Sequence, residues 1–292
     1  MILVTGATGQ YGAKAIDHLL NKGVKAPEIS ALVRDVTKAQ SLKENGVELR
    51  MGDYTDFNSM VKAFQGIDKL LLVSSNDKNA IENRTTQHIN VIKAAKEAQV
   101  KHIVYTSFVR KQKYEESAIA AFQDSHVKTE EYLKESGINY TILQNGIYLE
   151  MIPVFAGGKV AETGVIMFPA EEGKASWVLR EELAEAAAHV LTTAGHVNKI
   201  YPLVNTESVS FDEIAKELSD KMAKDIQYQS PSIEEFQSKL KQSGVPDIYI
   251  GMFIMWALAL AQGTLDFTDT TLESFLGRKP TTVKHFINQV YA

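Results

Sequence analysis

Three glycines and one arginine carry the first recognisable chemistry in this 292-residue sequence. Gly6, Gly9 and Gly12 recur at three-residue spacing within Thr5-Gly-Ala-Thr-Gly-Gln-Tyr-Gly12. Gly6 permits a tight turn, Gly9 leaves no side chain between a ligand and the backbone, and Gly12 lets a following helix pack closely. The first amides of such a helix have no intrahelical partners, and its dipole favours negative charge above the turn. That is the chemistry of a diphosphate cradle. Arg34 follows the next apolar run, where a dinucleotide site reads the adenosine ribose. A carboxylate there suits a free 2′-hydroxyl, and an arginine suits a 2′-phosphate. The expected cofactor is therefore NADPH (NADP) rather than NAD, with Asp35 as the alternative ribose ligand and Gln10 and Lys38 as further candidates whose direction the sequence does not fix.

These residues need a sheet to hold them. Ile2 to Val4 is a short buried strand, Ala13 to Leu20 takes up helical periodicity, and Ile29 to Val33 is a second strand ending at Arg34. Thr37 to Asn45 reads as a helix stopped by Gly46, Val47 to Met51 as a third strand, and Asp56 as the cap of a helix through Phe64. Leu70 to Val73 is a continuous apolar run of the kind buried in a parallel sheet. Ser74, Ser75 and Asn76 follow it. Ligands of open α/β sheets sit outside the carboxyl ends of the strands, so these three are expected along the ribose or nicotinamide arm.

A helix over Thr85 to Gln99, a strand from His102 to Thr106, a helix from Ser125 to Ser136 and a sixth strand from Asn139 to Gln144 complete the alternation. His88 reads as a surface or packed helix residue rather than a ligand. The pattern calls for an α/β fold with an NAD(P)-binding Rossmann doubly wound parallel sheet over residues 1–153. After Pro153 it loosens. Val160 to Phe168 reads as strand segments broken at Gly164, Arg180 to Leu191 as a helix and Ile200 to Val204 as a strand. Phe211 to Met222, Ile233 to Ser243, Asp247 to Gln262 and Thr281 to Tyr291 read as helices. Residues 154–292 are expected to form a smaller, helix-rich, substrate-binding lobe, some of whose elements can return to the Rossmann core. The apolar stretch Tyr249 to Trp256 suits a core or dimer helix, or a wall of Met252, Phe253 and Trp256 against a flat aromatic substrate.

Composition closes off other classes. Hydrophobic residues at 45% and charged residues at 23% suit a soluble globular protein, and a net charge of -5 gives no basic footprint for nucleic acid. With no cysteine there is no disulfide, thiolate metal site or cysteine nucleophile, and no metal site is expected. The first apolar run is too short for a signal peptide and lacks a basic start, and Tyr249 to Leu260 is too short to span a bilayer. A cytoplasmic protein, monomeric or homodimeric, is expected.

Taken together, Thr5 to Gly12, Leu32-Val-Arg-Asp35, Gly52-Asp-Tyr54, Lys69 to Ser75, Val100 to Ser107, Gly137 to Gly146, Gly244-Val-Pro246 and Leu276 to Thr282 resemble the NmrA-like group of atypical short-chain dehydrogenases. Within that group the sequence is most similar to bacterial quinone reductases and triphenylmethane dye reductases, over essentially its whole length. The resemblance implies NADPH-dependent reduction of quinones or similar conjugated, aromatic acceptors. By position it implies that Gly6, Thr8, Gly9, Gln10, Tyr11 and Gly12 meet the diphosphate, Arg34 the 2′-phosphate and Asp53 the adenine. Ser74, Ser75, Asn76 and Thr106 fall along the ribose and nicotinamide arm, and Asn145, Gly146, Ile147 and Tyr148 at the nicotinamide end.

One departure from the wider superfamily matters. The Tyr-x-x-x-Lys pair is missing: Tyr105 is followed at that spacing by Val109, Tyr132 by Ser136 and Tyr148 by Ile152. In related reductases a lysine does the acid work from the helix before the sixth strand. His126 falls at about that place, close to Lys128, so His126 and Tyr148 are the catalytic candidates. Two other classes share the glycine turn. An NADP(H)-binding redox sensor without turnover suits the missing pair, whereas a nucleotide-sugar epimerase would need the pair and a firmly held NAD.

Overall fold

The computed structural model describes residues 1–76 and 80–291. These form two compact units, one of Met1–Phe108, Phe122–Asn145 and Arg180–Leu203, the other of Val109–Ala121, Gly146–Leu179 and Val204–Ala292.

The first unit is built on strands β1 (Ile2–Val4), β2 (Ile29–Val33), β3 (Glu48–Met51), β4 (Lys69–Leu72), β5 (His102–Phe108) and β6 (Asn139–Asn145). Their order is β3-β2-β1-β4-β5-β6, and Lys199–Leu203 adds a seventh strand beside β6. Every pairing in this sheet is parallel. The chain reverses its direction of growth between β1 and β4, the switch point at which such sheets open a crevice.

Helices α1 (Gln10–Asn21), α2 (Gln40–Glu44), α3 (Phe57–Ala63), α4 (Ala80–Glu97) and α5 (Ala120–Glu135) connect these strands. Helix α1 packs against Arg180–Thr192. Met60 and Phe64 around α3, Val91 and Ile92 of α4 and Leu133 of α5 meet Leu3, Leu70, Leu72, Ile103 and Ile142 of the sheet in one apolar core.

Helix α5 begins earlier than the Ser125 start expected from the sequence. Ser125 is no cap: its Oγ bonds back to Phe122 O at 2.7 Å inside the helix. The residues read as a helix from Thr37 divide into a 3-10 turn, Val36–Ala39, and the short α2.

In the second unit, Val165–Met167 pairs in parallel with Gln227–Gln229, and Lys174–Ala175 runs antiparallel to Val209–Ser210. Val160–Thr163 is a helical turn rather than the strand segment expected there. Gly164, at φ +69°, ends it in the left-handed conformation that glycine adopts at low cost. Phe155, Phe168, Trp177 and Phe211 form an aromatic core, with Phe253 edge-on to Phe155 at 6.2 Å. Helix Asp247–Ala261 is core in part: Ile250, Ala257, Ala259 and Leu260 are buried, whereas Ile248 is 68% exposed. Among the described residues no helix is long and apolar enough to cross a membrane.

Candidate functional site

The glycine turn takes the form its spacing demands. Gly6 sits at φ +59°, and Gly9 N donates to Gly6 O at 2.9 Å. A Cβ at Gly9 would lie 3.2 Å from Gly6 O. One at Gly12 would lie 2.7 Å from the Gly6 carbonyl carbon and closer still to its oxygen. Gly12 thus lets the helix close on the turn itself, not only on the strand. Gly9 is the N-cap of α1, with no side-chain cap and no acidic residue in the first turn, so nothing on the helix competes with an incoming anion. Thr8, Gly9 and Gln10 are exposed above it. Tyr11 is buried and its hydroxyl donates to Leu183 O at 2.9 Å, so its backbone rather than its phenol faces the diphosphate role.

The turn is tied into the sheet from beneath. Thr5 Oγ1 donates to Leu71 O at 3.1 Å and accepts from Val73 N at 2.9 Å, while the Tyr54 hydroxyl reaches Thr5 Oγ1 and Val73 O. Burial pushes the Tyr54 phenol well above its ordinary pKa, so it stays a neutral strut.

Arg34 is exposed immediately beyond β2. Burial raises the Asp53 carboxyl, but bonds from the Thr55 hydroxyl and amide and the nearby Arg34 charge outweigh it and hold the group below its usual range. Asp35 Oδ1 is engaged by Thr37 N at 2.9 Å and Thr37 Oγ1 at 2.6 Å, capping the turn that follows. Of the two neighbours, Arg34 presents the group less committed to local structure.

Beyond β4, Ser74 N donates to Thr106 Oγ1 at 2.9 Å and Ser75 N to His88 Nε2 at 2.9 Å; Asn76 is exposed. His88 is wholly buried. Thr129 Oγ1 gives its proton to Ser125 O at 2.8 Å, so His88 Nδ1 is the donor in its 3.1 Å contact with Thr129. Burial, aided by the Arg84 charge, depresses the imidazole to about 3 and keeps it neutral. Arg84, also buried, donates to Ser75 O at 3.0 Å and Ser125 Oγ at 3.1 Å and lies 4.7 Å over the Phe122 ring.

His126 is 3% exposed, not a helix-surface residue. Its Nδ1 stands 2.7 Å from the Tyr105 hydroxyl, with the Phe108 and Phe122 rings beside it. Lys128 points elsewhere, its Nζ 2.6 Å from Asp124 Oδ2 on the exposed side of α5. At the end of β6, Asn145 is 2% exposed and its Oδ1 has no hydrogen-bond partner among the described residues. A buried acceptor left unmet by the protein is a place for an ordered water or a ligand group.

Gly146, Ile147 and Tyr148 belong to the second unit. There Ile147 O accepts from Val178 N at 2.9 Å, and half-buried Tyr148 pairs with Val178. Tyr105, His88 and Arg84 were not among the sequence candidates. Tyr105 lay on a strand read only for its missing lysine, and no spacing rule links it to His126.

A seven-stranded parallel sheet with a glycine cradle after its first strand defines a Rossmann-type dinucleotide-binding protein. The chain belongs to the NmrA-like family, whose model matches residues 1–287. It is 37% identical over 291 residues to quinone oxidoreductase 2 of Escherichia coli K12, covering 100% of this chain and 99% of that one. The NADPH complex of that E. coli enzyme superposes with a TM-score of 0.92 over 100% of both chains. The NADP(H) complex of Citrobacter sp. triphenylmethane reductase, 39% identical, superposes with a TM-score of 0.91 over 99% of both.

Proposed function

We propose that this chain is an NADPH-dependent reductase that passes hydride to quinones or similar conjugated, aromatic acceptors. The observation that carries the reading is the uncapped glycine cradle of α1 combined with Arg34 directly beyond β2. Support comes from relatives that share the whole length of the chain and are named for quinone and dye reduction.

The residues present fit the cofactor. The amides of Gln10, Tyr11 and Gly12, with Gly6, Thr8 and Gly9 around them, suit the diphosphate, Arg34 the 2′-phosphate, Asp53 the adenine end, and Ser74, Ser75, Asn76 and Thr106 the ribose arm. The unmet Oδ1 of Asn145 suits the carboxamide of a nicotinamide. When bound, NADPH supplies the hydride. Reduction of a quinone to its hydroquinone then needs one proton beyond that hydride. His126 is the group we assign to hold it, oriented by Tyr105 at 2.7 Å, with Tyr148 as a second donor. Without a Tyr-x-x-x-Lys pair, hydride transfer dominates and acid catalysis is secondary.

The test is loss of NADPH absorbance with a panel of quinones and triphenylmethane dyes, with NADH run alongside. Rapid, NADPH-preferring turnover is expected. NADPH binding without turnover on any acceptor would overturn the reductase reading in favour of a sensor.

A further inference from the structure

One buried carboxylate has no part in the reading above. Glu130 is fully buried on α5, one turn after His126. Its Oε1 accepts from Ser107 Oγ at 2.5 Å and from Gln144 Nε2 at 3.2 Å. Lys134, one turn further on, brings Nζ to 3.8 Å from Oε2. A carboxylate in such an interior persists only when its oxygens are met by donors of this kind.

The donors are what matter. Ser107 and Gln144 are register partners on β5 and β6, so one carboxylate spans the strand pair from the helix above it. Each donor adjoins a candidate site residue. Ser107 follows Thr106, whose hydroxyl receives the Ser74 amide, and Gln144 precedes Asn145 with its unmet Oδ1. Tyr105, two residues before Ser107 and on the same face of β5, meets His126, four residues before Glu130. Helix α5 is therefore joined to β5 by two successive polar rungs, Tyr105 to His126 and Ser107 to Glu130.

We infer that Glu130 is a positioning residue: it locks α5, β5 and β6 in the register that brings His126 to Tyr105 and sets Asn145 at the edge of the sheet. The buried face of α5 is polar apart from Leu133, so specific hydrogen bonds fix that register, and Glu130 receives two of them, one from each strand. Only the kinetic consequence of this assignment rests on the reductase reading. The geometric consequence does not.

The test uses the full chain labelled with 15N-histidine. Glu130→Met keeps the length of the side chain and removes both acceptors, and Glu130→Gln restores an oxygen acceptor without the charge. In long-range proton–nitrogen spectra, Glu130→Met is expected to move the ring signals of His126, and with them those of His88, whose Nδ1 meets Thr129 on the same helix, while those of His18 and His285 stay in place. Turnover of a quinone is expected to fall about tenfold, the scale of a small misplacement at a reacting centre. Glu130→Gln recovers most of both. Ser107→Ala, which removes one donor, gives the same His126 displacement at smaller amplitude and serves if Glu130→Met does not fold. Unmoved His126 signals, equal movement of His126, His18 and His285, or a Glu130→Gln variant indistinguishable from Glu130→Met would overturn the assignment. Displacement of His126 with His18 and His285 unmoved, in a chain whose wild type turns over no acceptor, would leave the positioning role standing and remove the reductase reading.

Discussion

The Tyr105 hydroxyl and Nδ1 of His126 stand 2.7 Å apart, one on a central strand and the other on the helix above it, and both are buried. A phenol that donates to Nδ1 leaves the proton of a neutral imidazole on Nε2, the nitrogen then set to act as donor. His126→Ala is expected to lower quinone turnover by about tenfold, below the usual range for an essential acid, with NADPH affinity unchanged. Tyr105→Phe should fall between the wild type and His126→Ala. Steady-state kinetics beside a direct NADPH titration would separate these outcomes, and complete loss in His126→Ala would make acid catalysis primary.

Arg34 is expected to set the choice of cofactor. Charge-assisted hydrogen bonds are worth about 1.5–3 kcal/mol, so Arg34→Ala should weaken NADPH binding roughly ten- to hundredfold and leave NADH nearly untouched. Isothermal titration with both nucleotides measures the ratio. Equal losses for the two would show that Arg34 does not read the 2′-phosphate.

Two glycines should respond very differently to alanine. Gly12→Ala forces a Cβ into the Gly6 carbonyl and is expected to cost several kcal/mol, more than the ~1–3 kcal/mol typical of overpacking. Gly23→Ala, at φ +84° with nothing within 4 Å of the added carbon, should cost only the left-handed backbone penalty of about 1 kcal/mol. Chemical denaturation of both variants tests the contrast.

Acid should destabilise the protein from near pH 6.5 downward. His88, His102, His189 and His196 are all depressed below the ordinary imidazole value, in each case chiefly by burial. Their unfolded forms therefore take up protons that the folded forms resist. The stability they contribute is complete above 6.5 and is lost as pH falls through the gap between the two values. For His88, held near 3, the loss by pH 5 is about 2 kcal/mol. Depressed carboxylates such as Asp68, at about 2, act only at lower pH. His88→Gln should flatten the slope between pH 6.5 and 5 in a series of denaturation curves, and an unchanged slope would exclude His88 as its source.

The strand, glycine turn and helix at the start of the chain were legible because local sequence dictates them: Gly6, Gly9 and Gly12 answer to steric limits within one short segment. The carboxyl end of β4 was legible for a similar reason, since a continuous apolar run followed by small polar residues marks where a buried strand stops. The polar interior beneath α5 was not. Gln123, Ser125, His126, Thr129 and Glu130 carry no apolar periodicity, yet all five are buried, and Ser125, His126, Thr129 and Glu130 meet polar residues of β5, β6 and α4. Hydrophobic periodicity is silent where polar side chains pack on polar side chains. The seventh strand, Lys199–Leu203, was recognised as a strand, but its place beside β6 depends on a long excursion of the chain that local sequence does not encode.

The join of Thr5 with Leu71, Val73 and Tyr54 also bears on the order of folding. Its hydrogen bonds connect residues 49 to 68 positions apart, so the base of the glycine turn closes only after β1, β4 and the segment beyond β3 have met. Contacts of that span carry a large loop-closure entropy and come late. A nucleotide seated on the finished turn consequently acts on the exit from the native state: it should slow unfolding and leave the refolding rate as it is.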